Sequence, residues 1–421
     1  MPQERFSATQ RAAFAAAALG WLFDTMDQRL FILARGPALG SLSGSAGAQG
    51  ALATQATSLF IAGWATGGLV FGVVGDRWGR RQTMAVTIAI YSLFTGLTAF
   101  AVSPTDFAAY RFLTGLGIGG EFAAGVALVA EVIPGASRPR ALGLLQAFGI
   151  VGTFLGTALS FFVKPEAVYF GDVPGWRLLF AIGFLPALLL LLLRRGVRES
   201  EAWTAARDAN ERLGGFRVLF TDPRLRVRSV GGMLLGLAGQ LGVWGIGTWT
   251  PELIRAALGP GSGDIARTGL LLKDIAAFGG VWAFSLAAER FGRKPAFFGA
   301  FVASIAAIAI TFSGLRTERD VYWTMPLLGF TVWSVLAGYA IYFPELYPTR
   351  LRSSGTGLCY NVARYLTAGG VMILGRLVET FRDRGYAQPL RPAAIALSAV
   401  YLVGLAALVV LPETKGEALP E

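Results

Sequence analysis

Residues 131–143, EVIPGASRPRALG, return at 345–357 as ELYPTRLRSSGTG. Glu131, Pro134, Arg138 and Gly143 each recur 214 positions later, as Glu345, Pro348, Arg352 and Gly357. Two further echoes fall at nearly the same displacement. GDRWGRR at 75–81 is answered by ERFGRK at 289–294, 213 positions on, and Arg198-Glu199-Ser200-Glu201 by Pro412-Glu413-Thr414-Lys415, again at 214. Three anchors in one order at one displacement mark an internal duplication. In a chain of 421 residues that displacement makes the whole sequence two copies of one unit.

Composition supplies the medium in which the copies fold. Hydrophobic residues make up 54% and charged residues 15%, with 55 Gly, whereas a soluble chain carries about 25% charged residues. Apolar stretches fall at about 12–35, 53–74, 82–102, 107–131, 141–163 and 175–193, then at about 230–254, 267–288, 295–314, 321–343, 353–377 and 393–411. This predicts an all-α membrane protein with twelve transmembrane helices in two pseudo-symmetric six-helix bundles. The halves are 1–193 and 230–421, joined by a polar cytoplasmic link at 194–229. Every repeated anchor sits at a span end on one side, so the halves are parallel and related by an axis along the membrane normal, an arrangement that suits alternating access.

Several functions are excluded by what is missing. There is no His and one Cys, Cys359, so imidazole relays, histidine metal sites, Ser-His-Asp triads and internal disulfides are ruled out. No metal and no cofactor is expected, and no nucleophile constellation points to an enzyme. The formal charge of +11 reflects basic loops rather than nucleic-acid binding: about 22 Lys and Arg lie on the side of residues 1–11 against roughly 10 on the other, which places both termini in the cytoplasm. Arg5 and Arg11 before AAFAAAALGWLF resemble the start of a signal peptide, but the acidic DTMD run inside the segment argues for a retained first span. The link and the short tails offer no output segment for a sensor. The expected setting is a bacterial inner membrane, as a multi-pass monomer.

Charged side chains inside the spans are Asp24, Asp27, Arg29, Arg111, Glu121, Lys273, Asp274 and Arg364. Each costs about 2.5–3.5 kcal/mol near the bilayer centre and is expected to face a cavity or a partner. Asp24 and Asp27, three positions apart, share a helix face. Asp27 lies roughly 12 Å below the outer end of the first span and Arg111 roughly 6 Å below that of the fourth, within reach of an Arg side chain. Arg364, with Asn361 one turn earlier, presents a fork suited to a carboxylate, and Arg29 is a second cation of that kind. Gln146, Gln240, Trp244 and Tyr360, with Trp21 and Trp64, are candidates to line the cavity. Lys273 and Asp274 read as a gate or a structural pair near the outer end of the eighth span. Gly115-x-Gly117-x-x-Gly120 matches a dinucleotide fingerprint, but inside an apolar span its glycines serve close helix packing.

These segments resemble the major facilitator superfamily over the whole chain. Gly72-Val-Val-Gly75-Asp76-Arg77-Trp78-Gly79-Arg80-Arg81 is similar to its loop signature G-x-x-x-D-R-x-G-R-R, and Arg111-x-x-x-Gly115-x-Gly117-x-Gly119 to its fourth-span pattern. The tail PETKG at 412–416 is similar to that of sugar and acid porters. Gly20-Trp-Leu-Phe-Asp24-Thr-Met-Asp27 and PELYPTRLRSSGTGLCYNVAR at 344–364 resemble metabolite and aromatic-acid proton symporters, with Thr25 where relatives commonly carry Gly and with Arg29 as an addition. The resemblance implies proton coupling through Asp27 and Arg111, to which Asp24 and Glu121 are added here. It also implies a cytoplasmic gate of Gly72, Asp76, Arg77, Gly79, Arg80, Arg81, Glu131 and Arg138, with Glu289, Arg293, Glu345 and Arg352 in the second half. The substrate set is Arg29, Gln146, Gln240, Trp244, Tyr360, Asn361 and Arg364. The expected function is proton-coupled symport of a small, anionic organic acid. A sugar or polyol proton symporter and a drug/proton antiporter are the alternatives.

Overall fold

In the computed structural model, residues 6–44, 49–189, 196–246, 249–259 and 261–420 are described, the side chains at 49–51 and 368–372 excepted. The first half holds α1 (Ala8–Ser43), α2 (Gln49–Trp78), α3 (Arg80–Thr98), α4 (Pro104–Val132), α5 (Arg138–Phe162) and α6 (Gly175–Ile182), the last extended by a 3-10 turn at Leu185–Leu188. Two short helices, α7 (Glu201–Asp208) and α8 (Phe216–Thr221), occupy the link. The second half follows with α9 (Pro223–Gln240), α10 (Thr250–Leu258), α11 (Gly263–Phe291), α12 (Arg293–Gly314), α13 (Glu318–Val332), α14 (Val335–Glu345), α15 (Arg352–Asp383), α16 (Leu390–Leu397) and α17 (Val400–Val410).

Among the described residues, eight helical stretches are long and apolar enough to cross a membrane, and Gly175–Leu188 is a shorter apolar one. The three others needed for twelve are α1, α3 and α15. Two of these carry the charges that lower their hydropathy, Asp24, Asp27 and Arg29 in α1 and Arg364 in α15. The seventh crossing, Pro223–Leu258, is α9 and α10 joined through a π-turn at Leu241–Ile246, and the tenth, Glu318–Glu345, is α13 and α14 with a break at Trp333–Ser334. The expected end of the sixth span, at 193, lies outside the described residues. A two-stranded antiparallel ribbon, β1 (Val168–Tyr169) with β2 (Val173–Pro174), closes the loop before α6 and has no counterpart in the sequence reading.

Glycine sets how closely the helices of each half approach. On α2, a Cβ at Gly63 or Gly67 would lie 2.1 or 1.9 Å from the carbonyl oxygen of Phe112 or Leu116. On α4, a Cβ at Gly115 or Gly119 would lie 2.3 or 1.9 Å from that of Phe60 or Trp64. The two helices therefore touch backbone to backbone through reciprocal small-residue faces, the arrangement that replaces hydrophobic driving force inside a bilayer. The second half repeats the device: Gly280 of α11 abuts the Phe330 carbonyl at 2.0 Å and Gly329 of α13 that of Lys273 at 2.0 Å on the same measure. Gly115, Gly117 and Gly119 thus act in packing, as their place in an apolar span implies.

Burying a methyl group where there is no room forces the backbones apart, which costs about 1–3 kcal/mol. Gly119→Ala is accordingly expected to lower the melting temperature of the detergent-solubilised protein by several degrees, whereas Gly299→Ala, where no atom lies within 4 Å of the new Cβ, leaves it near the parent value.

Candidate functional site

The acidic cluster forms where α1, α3 and α4 meet. Asp27 accepts from Arg111 Nη1 with both oxygens, at 3.2 and 3.1 Å, and from the Thr95 hydroxyl at 2.9 Å. Arg111 is held further by Thr98 at 3.2 Å from Nε and 2.8 Å from Nη2, and by Thr114 at 2.9 Å, while its guanidinium lies 4.7 Å from the Phe180 ring. Neither side chain is exposed by more than 2%. One turn toward the start of α1, Asp24 is fully buried with no hydrogen-bond donor on either oxygen, and the carboxyl of Glu121 lies beside it.

A cationic cluster forms where the two halves face each other. The Arg364 guanidinium carbon stands 3.5 Å from the ring centre of Trp64, which comes from the other half, and 4.7 Å from that of Tyr360. Nη1 donates to Asn361 at 2.9 Å, and buried Nε has no partner. Tyr360 lies against Gln240, stacks on Phe122 at 4.4 Å, and Trp64 meets Trp244 edge-on at 6.4 Å. Among the described residues no carboxylate pairs with Arg364, although Arg29, Arg80, Arg111, Arg293 and Arg352 each have one. Gln146 crosses between the halves, donating to the Leu336 carbonyl at 2.7 Å.

The signature segments converge at one end of the bundle. Asp76 accepts the backbone N–H of Ser353 at 3.0 Å and Ser354 at 2.8 Å, at the start of α15, so a carboxylate of one half caps the positive end of a helix of the other. Arg80 bridges Asp76 at 3.2 Å and Glu131 at 2.9 Å, and Glu131 also takes Arg352 at 2.7 Å. Glu131 therefore joins the halves through a buried side chain. Arg293 pairs with Glu345 at 2.6 Å, and Arg140 with Glu289 at 2.6 Å across the halves. The Arg138 and Arg352 Nε atoms each donate to the carbonyl eight residues back, Ala130 and Pro344. A Cβ at Gly72 would lie 3.0 Å from the Ser353 carbonyl, and Gly79 adopts φ +101° at the turn into α3. Arg77 is exposed, and Arg81 contributes its backbone N–H to Glu199 at 3.1 Å.

The third echo proves to be a pair of helix caps. Glu199 accepts the N–H groups of Arg80 at 3.0 Å and Arg81 at 3.1 Å, and Glu413 those of Arg293 and Lys294, both at 2.9 Å. Burial pushes the Glu199 carboxyl up from its ordinary range despite those donors. Burial acts the same way on Glu413, but the N–H groups of Arg293, Lys294, Lys415 and Thr414 outweigh it and hold that carboxyl low.

Arg29 departs from its expected place. It pairs across the halves with Asp274 at 3.0 Å, in a partly exposed position, while Lys273 points its ammonium at the Trp333 ring, 4.5 Å away. Arg29 is therefore a paired cation, and Asp274 takes its hydrogen-bonded ion-pair partner from the other half. Of the remaining substrate candidates, Asn361, Tyr360, Gln240 and Trp244 gather around Arg364, and Gln146 lies against Leu336. Sequence reasoning missed Thr95, Thr98 and Thr114, whose spacing on α3 and α4 places them on one face, and Trp203 of α7, whose indole donates to the Asp76 carbonyl at 2.6 Å. A lone Trp in a polar link is the signal that was available. Among the described residues no group of three or more metal-donor side chains is placed to hold an ion.

Two six-helix bundles that meet along a polar surface define a membrane transporter, not an enzyme. The chain belongs to the Major Facilitator Superfamily, whose sequence profile matches residues 13–371. It is 30% identical to the probable 4-methylmuconolactone transporter of Cupriavidus pinatubonensis over 426 residues, covering 98% of this chain and 93% of that one. It is 28% identical to the cis,cis-muconate transport protein of Acinetobacter baylyi, covering 88% and 91%. The crystal structure of the proton:xylose symporter XylE bound to 6-bromo-6-deoxy-D-glucose superposes with a TM-score of 0.79 at 18% identity, covering 99% of this chain and 98% of that one, which shows the shared fold.

Asp76 is the acceptor for two N–H groups of the opposite half, so Asp76→Asn removes a charge-assisted contact and leaves one amide hydrogen facing a donor. In a Cys359→Ser background, a cysteine introduced at Arg350 is expected to react several-fold faster with a membrane-impermeant maleimide in Asp76→Asn than in the parent. An unchanged rate would show that the contact does not hold the halves together.

Proposed function

We propose that this protein is a proton-coupled symporter of a small organic acid that works by alternating access between the halves 1–193 and 230–421. The observation that carries this reading is Arg364: a buried guanidinium at the inter-half surface that lacks a carboxylate among the described residues. Burying a charge without a counter-charge costs several kcal/mol. An anionic substrate supplies that counter-charge, and the fork of Arg364 meets its carboxylate with two parallel hydrogen bonds. Trp64 on one side and Tyr360 on the other belong to different halves, so a substrate bound at Arg364 touches both bodies that rock. The relatives' muconate and methylmuconolactone names support an organic acid.

Asp24, Asp27, Arg111 and Glu121 form the proton-coupling region. Asp76, Arg80, Glu131 and Arg352, with Arg293 and Glu345 behind them, form the gate at the end bearing the signature loops. The excess of Lys and Arg there makes that end cytoplasmic, with both termini inside, in a bacterial inner membrane. The chain acts as a monomer. A second reading, a sugar or polyol proton symporter, is favoured by the neutral amides of Gln240 and Asn361 beside Tyr360 and Arg364 and of Gln146 between the halves, which suit hydroxyl groups.

Charge-assisted hydrogen bonds are worth about 1.5–3 kcal/mol net. At 1.4 kcal/mol per decade, Arg364→Gln is expected to weaken binding of an acid substrate by roughly 10- to 150-fold in equilibrium binding to purified protein. Neutral analogues bind the parent weakly and are almost indifferent to the substitution. A sugar that binds parent and variant equally and more tightly than any acid would replace the acid reading with the polyol one.

A further inference from the structure

Two acidic groups of α1 sit one turn apart in opposite environments. Asp27 accepts three hydrogen bonds, two from Arg111 Nη1 and one from Thr95, and Arg111 has its remaining nitrogens on Thr98 and Thr114. Protonating Asp27 would strand a guanidinium that is 0% exposed and fully ordered by its neighbours. Asp24 has none of this. Both of its oxygens and Glu121 Oε1 are buried without a donor, and its strongest charged neighbours are both acids, Glu121 and Asp27. A Cβ on Gly20, one turn before Asp24, would come within 2.4 Å of Glu121 Oε1, so glycine there lets the α4 carboxyl lie flat against α1.

The groups that face Asp24 come from three helices: Asp27 on α1, the phenol of Tyr91 on α3, and Glu121 on α4. Tyr91 is fully buried, and its hydroxyl has no partner. Arg111, the cation of this region, is engaged by Asp27. From α5 the nearest approach to this part of α1 is by Gly149 and Gly152, which bring no charge.

We propose that Asp24 and Glu121 share the transported proton as one acid site, and that Asp27 stays ionised on Arg111 as a fixed structural anion. This rests on the symport reading above and divides the coupling region into a part that titrates and a part that does not. Two carboxylates in contact away from water repel each other, and one proton between them turns the repulsion into an O–H···O⁻ hydrogen bond. The pair titrates as a unit. The balance is simple: a proton from the outer aqueous phase adds to one carboxylate oxygen of the pair and leaves to the inner phase, with no other bond formed or broken.

The pair also has a route to the substrate site. Phe122 follows Glu121 directly and stacks on Tyr360 at 4.4 Å, and Tyr360 lies 4.7 Å from the Arg364 guanidinium. The contact crosses from one half to the other, so separating the halves on one side breaks it at the residue next to Glu121 and opens that side of the pair to water. Substrate release and proton release then occur in the same movement.

The test compares Glu121→Gln, Asp24→Asn and Asp27→Asn in two measurements. In H2O-minus-D2O infrared difference spectra of the purified protein, the carbonyl band of a protonated carboxyl is expected in the parent and in Asp27→Asn, and is lost or shifted in Glu121→Gln and Asp24→Asn. In proteoliposomes, Glu121→Gln is expected to lose gradient-driven accumulation by at least about tenfold while counterflow exchange falls far less. Asp27→Asn, which strands Arg111, loses both activities to a similar degree. A band that survives Glu121→Gln and Asp24→Asn but vanishes in Asp27→Asn places the proton on Asp27 and overturns the proposal, as does the absence of any such band in the parent. If the parent shows the band yet ignores an imposed pH gradient, the symport reading fails while the shared proton stands.

Discussion

The cost of an ionised group in a bilayer governs this molecule. Among the described residues, four buried cations are matched by a carboxylate brought from another helix: Arg111 by Asp27, Arg80 and Arg352 by Glu131, Arg293 by Glu345. Each such pair ties helices together, and removing one partner of a buried pair costs about 3–5 kcal/mol because the other is left uncompensated. Beside those pairs, two central places without such a match stand out. Arg364 is a cation in want of an anion, and Asp24 with Glu121 are acids in want of a cation. A transporter that moves an anion together with a proton would require those two imbalances at the centre of its fold.

Duplication built the scaffold and divergence built the site. The end of the bundle bearing the signature loops keeps the repeat faithfully: Glu199 and Glu413 cap corresponding helices, and Arg80 with Glu131 corresponds to Arg293 with Glu345. The centre does not. Applying the displacement of 214 to Asp24, Asp27, Arg111 and Glu121 gives Ala238, Leu241, Met325 and Val335, and subtracting it from Arg364 gives Ile150. All five are apolar. Among these positions the first half therefore carries the acids and the second the cation, and on the proposed reading proton and substrate meet different bodies.

Much of this was legible in the chain itself. The twelve crossings follow from apolar length, the pairing of Asp27 with Arg111 from depth, and the burial of Arg364 from its place in an apolar span. Contacts between segments far apart in sequence were less accessible. Nothing local to Arg29 announces Asp274, 245 residues away. The threonines around Arg111 were invisible because a hydroxyl in a helix ordinarily bonds back to its own backbone, as Thr98 also does with Phe94. The broken crossings were hidden for a related reason: the apolar pattern continues through the π-turn at Leu241–Ile246, and only the backbone records the change.

The most direct test of the account is uptake by proteoliposomes holding the purified parent protein, with an imposed pH gradient, acidic outside, across a panel of aromatic and unsaturated carboxylic acids, sugars and cationic drugs. The account predicts accumulation of a carboxylic acid above its equilibrium level, abolished when a protonophore collapses the gradient, with sugars and cations excluded. Accumulation of a sugar or a cation instead, or uptake of the acid that is indifferent to the gradient, would contradict it.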